Sequence, residues 1–345
     1  MSTQSQTAES PANEPNRDPV LVDDWHVVAR AKDVWEGKIM KVRLLGEDLV
    51  VWRHEGRVMA WKDLCIHRGA RLSMGWVENG EVVCPYHGWR YNCEGACTLM
   101  PAHPDQTPSK KAHAIVHRVE EKYDWIWVSL GDPQHDVPPF WQWDDPAFRK
   151  FQAGPYYYRA NGFRTIENFV DASHFPYVHA GLNGVQANPD VIKPYKVYRG
   201  EHGLYTDEIH VFQPFGDHRG RPVNSGYTYH CFRPLTAYFS KHTVLADGTG
   251  GDDDRFCTFT TVQPVEENES VVWLGIAINF GPELTEKDIL ERQDQVFEQD
   301  REIVESQRPE KIPLDLREEL HVRCDRLAVE YRKWLKEQGL TFGAA

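Results

Sequence analysis

Two short runs of metal-binding residues constrain this chain more than any other feature: Cys65-Ile66-His67 and, after sixteen intervening residues, Cys84-Pro85-Tyr86-His87. Each run offers one thiolate and one imidazole. A two-iron, two-sulfide cluster with mixed ligation needs such pairs, because one iron takes both Cys and the other both His, and imidazole raises the reduction potential above that of an all-Cys cluster. Such a cluster relays electrons. A structural zinc is the competing reading, since two Cys and two His can also form a tetrahedron. Zinc fingers usually pair Cys with Cys and His with His, so the mixed pairs argue against it. Gly69, Pro85, Gly88 and Trp89 beside the ligands permit tight loops over a cluster.

Through Cys65-Ile-His67-Arg-Gly-Ala and Cys84-Pro-Tyr-His87-Gly-Trp89 the chain resembles the Rieske non-heme iron oxygenases. Residues 167–179, Glu-Asn-Phe-Val-Asp-Ala-Ser-His-Phe-Pro-Tyr-Val-His, look like that family's mononuclear iron motif. Residues 299–308, Gln-Asp-Arg-Glu-Ile-Val-Glu-Ser-Gln-Arg, look like its third-ligand helix. The resemblance covers nearly everything after residue 20 and implies an α+β chain: an all-β Rieske domain at 21–135, and at 136–345 a catalytic domain of antiparallel sheet plus helices, helix-grip-like. Residues 1–20, rich in Ser, Gln, Asn, Pro and Glu, are expected to be a disordered tail. The resemblance implies a [2Fe–2S] cluster on Cys65, His67, Cys84 and His87. It also implies a mononuclear Fe(II) on His174, His179 and Asp300, with Asn168 and Asp171 as catalytic neighbours. In the family this Asp accepts a hydrogen bond from a cluster His of the next subunit, so Asp171 is expected to meet His87 across an interface and His174 within its own chain. The family's quaternary form implies a homotrimer, in which the cluster of one subunit serves the iron of another. The alternative for Asp171 is an ordinary helix-surface carboxylate.

An iron that activates O2 must be held on one face only, and two His with one carboxylate supply that geometry. His174 and His179 are five residues apart, about 140° around an uninterrupted helix, too far to share a metal easily. Pro176 is expected to break the helix after His174 and let both rings converge. The stretch from Leu284 to Gln307 reads as a helix with Thr285 as N-cap, Glu286 and Asp288 in the first turn and Pro309 beyond its end. Gln293, Val296, Phe297, Asp300 and Val304 share one face of it. On spacing alone Asp294 and Glu298 compete with Asp300; its place in the resembling motif selects Asp300.

A chain of 345 residues is long enough for two cores. No run approaches twenty apolar residues, which excludes a helical membrane span, and the acidic net charge of −13 speaks against nucleic acid. Seven Cys, five of them outside the cluster pattern, suit reduced thiols in the cytoplasm, with Cys93 and Cys97 as packing residues. Arg68, Arg71, Arg90, Lys110, Lys111 and Arg118 gather positive charge in or beside the ligand loops, where an acidic ferredoxin or reductase could dock; scattered solvated charge is the plainer reading. No dinucleotide fingerprint occurs, so NAD(P)H electrons are expected through a separate protein.

Strands are expected at Trp25–Ala29, Met40–Leu45, Leu49–Arg53, Val58–Lys62 and Tyr123–Leu130, with a hairpin at Asn79-Gly80 and a domain boundary at 131–139. Further strands are expected at Val197–Tyr205, Glu208–Phe212, Tyr227–Phe232, Ala237–Val244, Phe256–Val262 and Val271–Ile278, then a last amphipathic helix over Leu316–Gln338. Length and the Asp300 helix look most like the homotrimeric O- and N-demethylating monooxygenases, including methylxanthine N-demethylases. The expected reaction is therefore demethylation of a small aromatic or heterocyclic molecule, with Gln293 and Val296 lining the pocket. Ring hydroxylation is the alternative, and a Rieske electron carrier without oxygenase chemistry is the alternative of another class.

Overall fold

The computed structural model describes residues 18–251 and 253–345. In the first part, β-branched and aromatic runs punctuated by turns become strands. These are β1 (His26–Arg30), β2 (Ile39–Leu44), β3 (Glu47–His54), β4 (Arg57–Lys62), β5 (Trp76–Glu78), β6 (Glu81–Val83), β7 (Arg90–Tyr91), β8 (Cys97–Leu99), β9 (Val116–Lys122) and β10 (Trp125–Ser129). They form two antiparallel sheets, ordered β1-β10-β9-β4-β3-β2 and β5-β6-β7-β8. Asn79-Gly80 closes the expected hairpin with φ of 52° and 75°, the left-handed pair that a tight two-residue turn requires. The two Cys/His loops lie between β4 and β5 and between β6 and β7.

The second part is one antiparallel sheet with helices against it. Its strands are β11 (Arg149–Tyr158), β12 (Val197–Gly200), β13 (Gly203–Thr206), β14 (Ile209–Gln213), β15 (Val223–Arg233), β16 (Thr236–Leu245), β17 (Arg255–Glu266) and β18 (Glu269–Ile278). The order is β11-β18-β17-β16-β15-β13-β12, with β14 also on β15. The helices are α1 (Pro19–Val22), α2 (Gly162–Phe169), α3 (Phe175–Val178), α4 (Glu286–Ser306) and α5 (Arg326–Glu337). The long helix α4 starts where expected. Thr285 accepts from the Asp288 backbone N–H while the Asp288 carboxylate accepts from Thr285, a reciprocal cap. Its buried face is Ile289, Gln293, Phe297, Asp300 and Val304, with Phe297 stacked 4.6 Å from Tyr156 of β11. Trp25, Trp125 and Trp127 of the first part pack with Phe140, Phe259 and Trp273 of the second, giving one apolar seam between them.

Four expectations need correction. Residues 18–20 are folded: α1 begins at Pro19, and buried Asp18 accepts from the backbone N–H groups of Thr341 and Phe342 at 2.6 and 2.5 Å. Residues 1–17 of the expected tail lie outside the described residues. The strand expected over Val197–Tyr205 is a hairpin, turned at Gly203, whose φ of 89° favours glycine. The last helix begins at Arg326 rather than Leu316, and Leu320 is fully exposed. Upstream of it, Glu319 leaves the helical path to accept from Arg164 at 2.7 Å and Arg332 at 2.6 Å. Arg332 also clasps Glu167 of α2 at 2.6 and 2.7 Å, and breaking such a buried network costs about 3–5 kcal/mol. It pins α2, which leads directly into the iron motif. Finally, Pro176 does not break a helix after His174. The helix ends at Phe169, and Pro176 sits in the first turn of α3, where its missing N–H costs nothing.

Candidate metal centres and substrate cavity

The two Cys/His loops are built alike. In the first, Gly69 donates to the Cys65 carbonyl at 2.9 Å and Cys65 donates to Ala70; in the second, Gly88 donates to the Cys84 carbonyl at 3.0 Å and Cys84 donates to Trp89. Gly69 and Gly88 both have positive φ, 71° and 67°, which is why glycine stands at the same offset in each. The turns aim buried Cys65 and Cys84 inward and leave His67 and His87 toward the rim, their ring centroids 4.6 Å apart. Trp89 stacks on His67 at 4.4 Å, and Tyr91 Oη lies 3.1 Å from Cys65 Sγ. Burial and the neighbouring Cys65 push the Cys84 thiol up, while burial and His87 push His67 down. His67 Nδ1 is buried with no hydrogen-bond partner among the described residues. Two adjacent thiols that form no disulfide and an orphaned imidazole nitrogen fit a cluster that takes all of them as ligands.

The second centre forms where α2, α3 and α4 meet. The N–H groups of Ser173 and His174 donate to the Asp171 carboxylate at 2.8 and 3.2 Å, which bends the chain out of α2. His174 then caps α3 at its start and His179 at its end. Their Nε2 atoms lie 3.2 Å apart, and Asp300 Oδ1 of α4 is 3.5 Å from the first and 3.2 Å from the second. Among the described residues, this is the set of His, Cys and carboxylate donors whose atoms all fall within 4.8 Å of one another. The outward nitrogens decide what the inward ones carry. His174 Nδ1 donates to Asp171 Oδ2 at 3.1 Å and His179 Nδ1 donates to Gln299 Oε1 at 2.9 Å. Each Nε2 therefore turns a lone pair toward the other and toward the carboxylate, an arrangement a cation stabilises. Burial lowers His174, but the hydrogen bond and charge of Asp171, aided by Asp300, outweigh it and leave the ring raised. Asn168 of α2 donates to Asp300 Oδ1 at 3.3 Å and orients that carboxylate.

This triad faces a cavity. Its apolar wall includes Phe169, Phe239, Phe256 and Phe297, and Gln293 and Val296 also line it. Asp171 lies behind His174, on a second and more open groove. Sequence reading missed Gln299, the partner of His179, because an amide in an acidic helix carries no chemical signature. It also missed Asn183, His218, Lys241 and Arg292 on the cavity wall, which come from separate elements with no shared motif. The positive set near the cluster is partly neutralised: Arg71 pairs with Asp48 at 3.1 Å, Arg118 with Asp132 at 3.2 Å, and Arg90 with Glu78.

A domain with a buried dithiol-diimidazole centre, followed by a sheet-and-helix domain with a two-His, one-carboxylate centre at a cavity, defines an iron-dependent oxygenase. Residues 24–115 match the Rieske [2Fe-2S] domain and residues 158–339 the vanillate O-demethylase oxygenase C-terminal domain. Methylxanthine N1-demethylase NdmA of Pseudomonas putida is 32% identical over 310 residues, covering 86% of this chain and 82% of that one. Methylxanthine N3-demethylase NdmB of the same organism is 32% identical over 317 residues, covering 88% and 83%. The solved structure of NdmB superposes with a TM-score of 0.76 at 30% identity, covering 94% of this chain and 92% of that chain. The chain belongs to the Rieske oxygenases that carry the vanillate-demethylase type of catalytic domain. Its cofactors are a Rieske [2Fe–2S] cluster and a mononuclear iron, with O2 as co-substrate. No helix among the described residues is long and apolar enough to cross a membrane.

Proposed function

We propose that this chain is the terminal component of a demethylating oxygenase, removing a methyl group from oxygen or nitrogen of a small aromatic or heterocyclic molecule. The observation that carries the reading is the facial set of His174, His179 and Asp300 opening onto an aromatic-walled cavity. Cys65, His67, Cys84 and His87 hold the cluster in this reading, and His174, His179 and Asp300 the iron. When bound, the cluster supplies single electrons and the iron activates O2 for insertion into a methyl C–H bond.

The chain's own residues do the rest. Asp171 and Gln299 each accept from an Nδ1–H, fix both imidazole tautomers and hold both rings toward one point. Asn168 holds Asp300 by its Oδ1. The phenylalanine wall shields the reacting methyl group from bulk water, and Gln293 offers an amide to a polar ring edge. Asp171, open to the outer groove, is the receptor for His87 of a neighbouring subunit; His87 and Tyr86 stand exposed on their loop. A homotrimer satisfies both ends of that contact. Electrons come from NAD(P)H through a separate ferredoxin or reductase that docks over the exposed basic residues Arg68, Lys110 and Lys111, and the protein works in the cytoplasm.

Oxygen insertion next to the heteroatom gives an unstable product that releases formaldehyde and leaves the heteroatom protonated. With a surrogate reductase and a screen of methoxy- and N-methyl-arenes, each turnover is expected to consume one O2 and two electrons. It yields one formaldehyde, one water and the demethylated compound. Oxygen uptake that gives a ring-hydroxylated or cis-diol product without formaldehyde overturns demethylation in favour of ring hydroxylation.

A further inference from the structure

One wall of the substrate cavity carries cations that nothing in the oxygen chemistry uses. Lys241 of β16 is buried, and its ammonium donates to the Gly216 carbonyl. Arg292 of α4 donates to the Phe215 carbonyl and, at 3.3 Å, to Asn183 Oδ1. Among the described residues neither has a carboxylate within ion-pair distance, whereas the nearby Arg219 has two, Asp217 and Asp254, each at 2.8 Å. His218 stands beside them on the same wall, stacked 4.8 Å from Phe256, and its Nε2 is buried without a hydrogen-bond partner. Asp300, the carboxylate of the lining, turns instead to His174, His179 and Asn168.

Buried charge is normally paired, because an unpaired ion loses its hydration without compensation. Here buried Lys241, half-buried Arg292 and a free imidazole nitrogen converge on a ligand cavity; the direct hydrogen bonds of the two cations go to backbone and amide oxygens, and Asp217, the carboxylate whose charge reaches them, is already engaged by Arg219. Burial, reinforced by Arg292, pushes the Lys241 ammonium down to about 7, and burial followed by Arg292 and Lys241 pushes His218 to about 3. Such a wall is short of one negative charge. Arg292 precedes Asp300 by eight residues on α4, about 12 Å along the helix axis. That spacing suits a substrate with an aromatic ring between its two ends, one at the iron and one at Arg292.

We infer that Lys241, Arg292 and His218 form an anion-binding subsite, and that the substrate is a methoxy- or N-methyl-arene bearing a carboxylate or sulfonate on the side remote from the methyl group. This rests on the cavity being the substrate site of the oxygenase proposed above. The anion seats between the ammonium and the guanidinium and accepts from His218 Nε2–H. The opposite end of the ring then points its methyl group at the triad. Neutral heterocycles leave both cations unanswered and bind more weakly.

Anaerobic calorimetry on the holoenzyme tests this with matched probes: 4-methoxybenzoate and 4-methoxybenzenesulfonate against 4-methoxybenzamide and 4-methoxybenzenesulfonamide. At least one acid is expected to bind roughly 10- to 100-fold more tightly than its amide, the range for hydrogen bonds to charged groups. Comparing the two acids separates carboxylate from sulfonate recognition. Lys241→Gln and Arg292→Gln are each expected to collapse the acid-to-amide ratio, with iron content and cluster absorption retained. The wild-type ratio stands as a test even where a variant fails to fold. Equal affinity for acids and amides, no detectable affinity for either acid, or a ratio unmoved in both folded variants overturns the subsite. A tightly bound acid that is oxidised without releasing formaldehyde leaves the subsite standing and sinks demethylation instead.

Discussion

Asp171→Asn protein is expected to keep its cluster and its iron and to lose at least roughly 100-fold in turnover, the upper end of the usual cost of altering a group behind a metal ligand. The wild-type carboxylate does three things. It accepts from His174 Nδ1 at 3.1 Å, it accepts from two backbone N–H groups that shape the bend before α3, and it faces the outer groove. The hydrogen bond and charge of His174 hold Asp171 below the ordinary carboxylate range despite the opposing effect of burial, so it is anionic at neutral pH. An amide keeps the shape and one acceptor oxygen but removes the charge, and with it the link to His87 of a neighbouring subunit in the proposed trimer. A single turnover with pre-reduced cluster separates this from simple misfolding. The variant is expected to retain the reduced-cluster spectrum long after wild type has lost it. Near-normal single-turnover yield with unchanged iron shows Asp171 to be an ordinary surface carboxylate.

Mixed oligomers give the second large effect. Cys84→Ala removes a cluster ligand and His179→Ala a ligand of the iron, so each variant alone is expected to be inactive, the first without visible cluster absorption and the second with it. Co-assembled, they are expected to recover activity, because the cluster of a His179→Ala chain can reduce the iron of a neighbouring Cys84→Ala chain. With random mixing in a cyclic assembly, about a quarter of wild-type activity per chain returns. If electrons moved only within a chain, no chain in the mixture would hold both metals and nothing would return. Iron and sulfide contents of the mixture show that both partners are loaded.

The metal motifs are legible in the sequence because their chemistry is local: Gly69 and Gly88 mark the turns that present one Cys and one His each, and these need no distant contact to be read. The capped start of α4 and the hairpin at Asn79-Gly80 are local in the same way. The convergence of His174 and His179 has a different cause from the one their spacing suggests. The Asp171 turn, not Pro176, bends the chain, and the proline starts α3. Such a distinction depends on which backbone N–H groups a carboxylate accepts from, which spacing does not reveal. The last helix is shorter than Leu316–Gln338 because Glu319 is drawn off the helical path by Arg164 of α2 and by Arg332 of α5 itself. The cationic wall was invisible for a similar reason. Lys241 comes from a strand, Arg292 from α4 and His218 from a loop, and only the closed sheet and helix bring them to one cavity. Asp254, in a run rich in Gly and Asp that looks solvent-exposed, is buried against Arg219.

Metal and sulfide analysis of the purified holoprotein shows whether one chain holds two chemically different iron centres. Three irons and two acid-labile sulfides per chain are expected, the sum of a [2Fe–2S] cluster and one facial-triad iron. His179→Ala is expected to lose a single iron, with no loss of sulfide or cluster absorption. Two irons per chain in fully loaded wild type, with the His179→Ala protein indistinguishable from it, would rule out the second centre and leave an electron carrier.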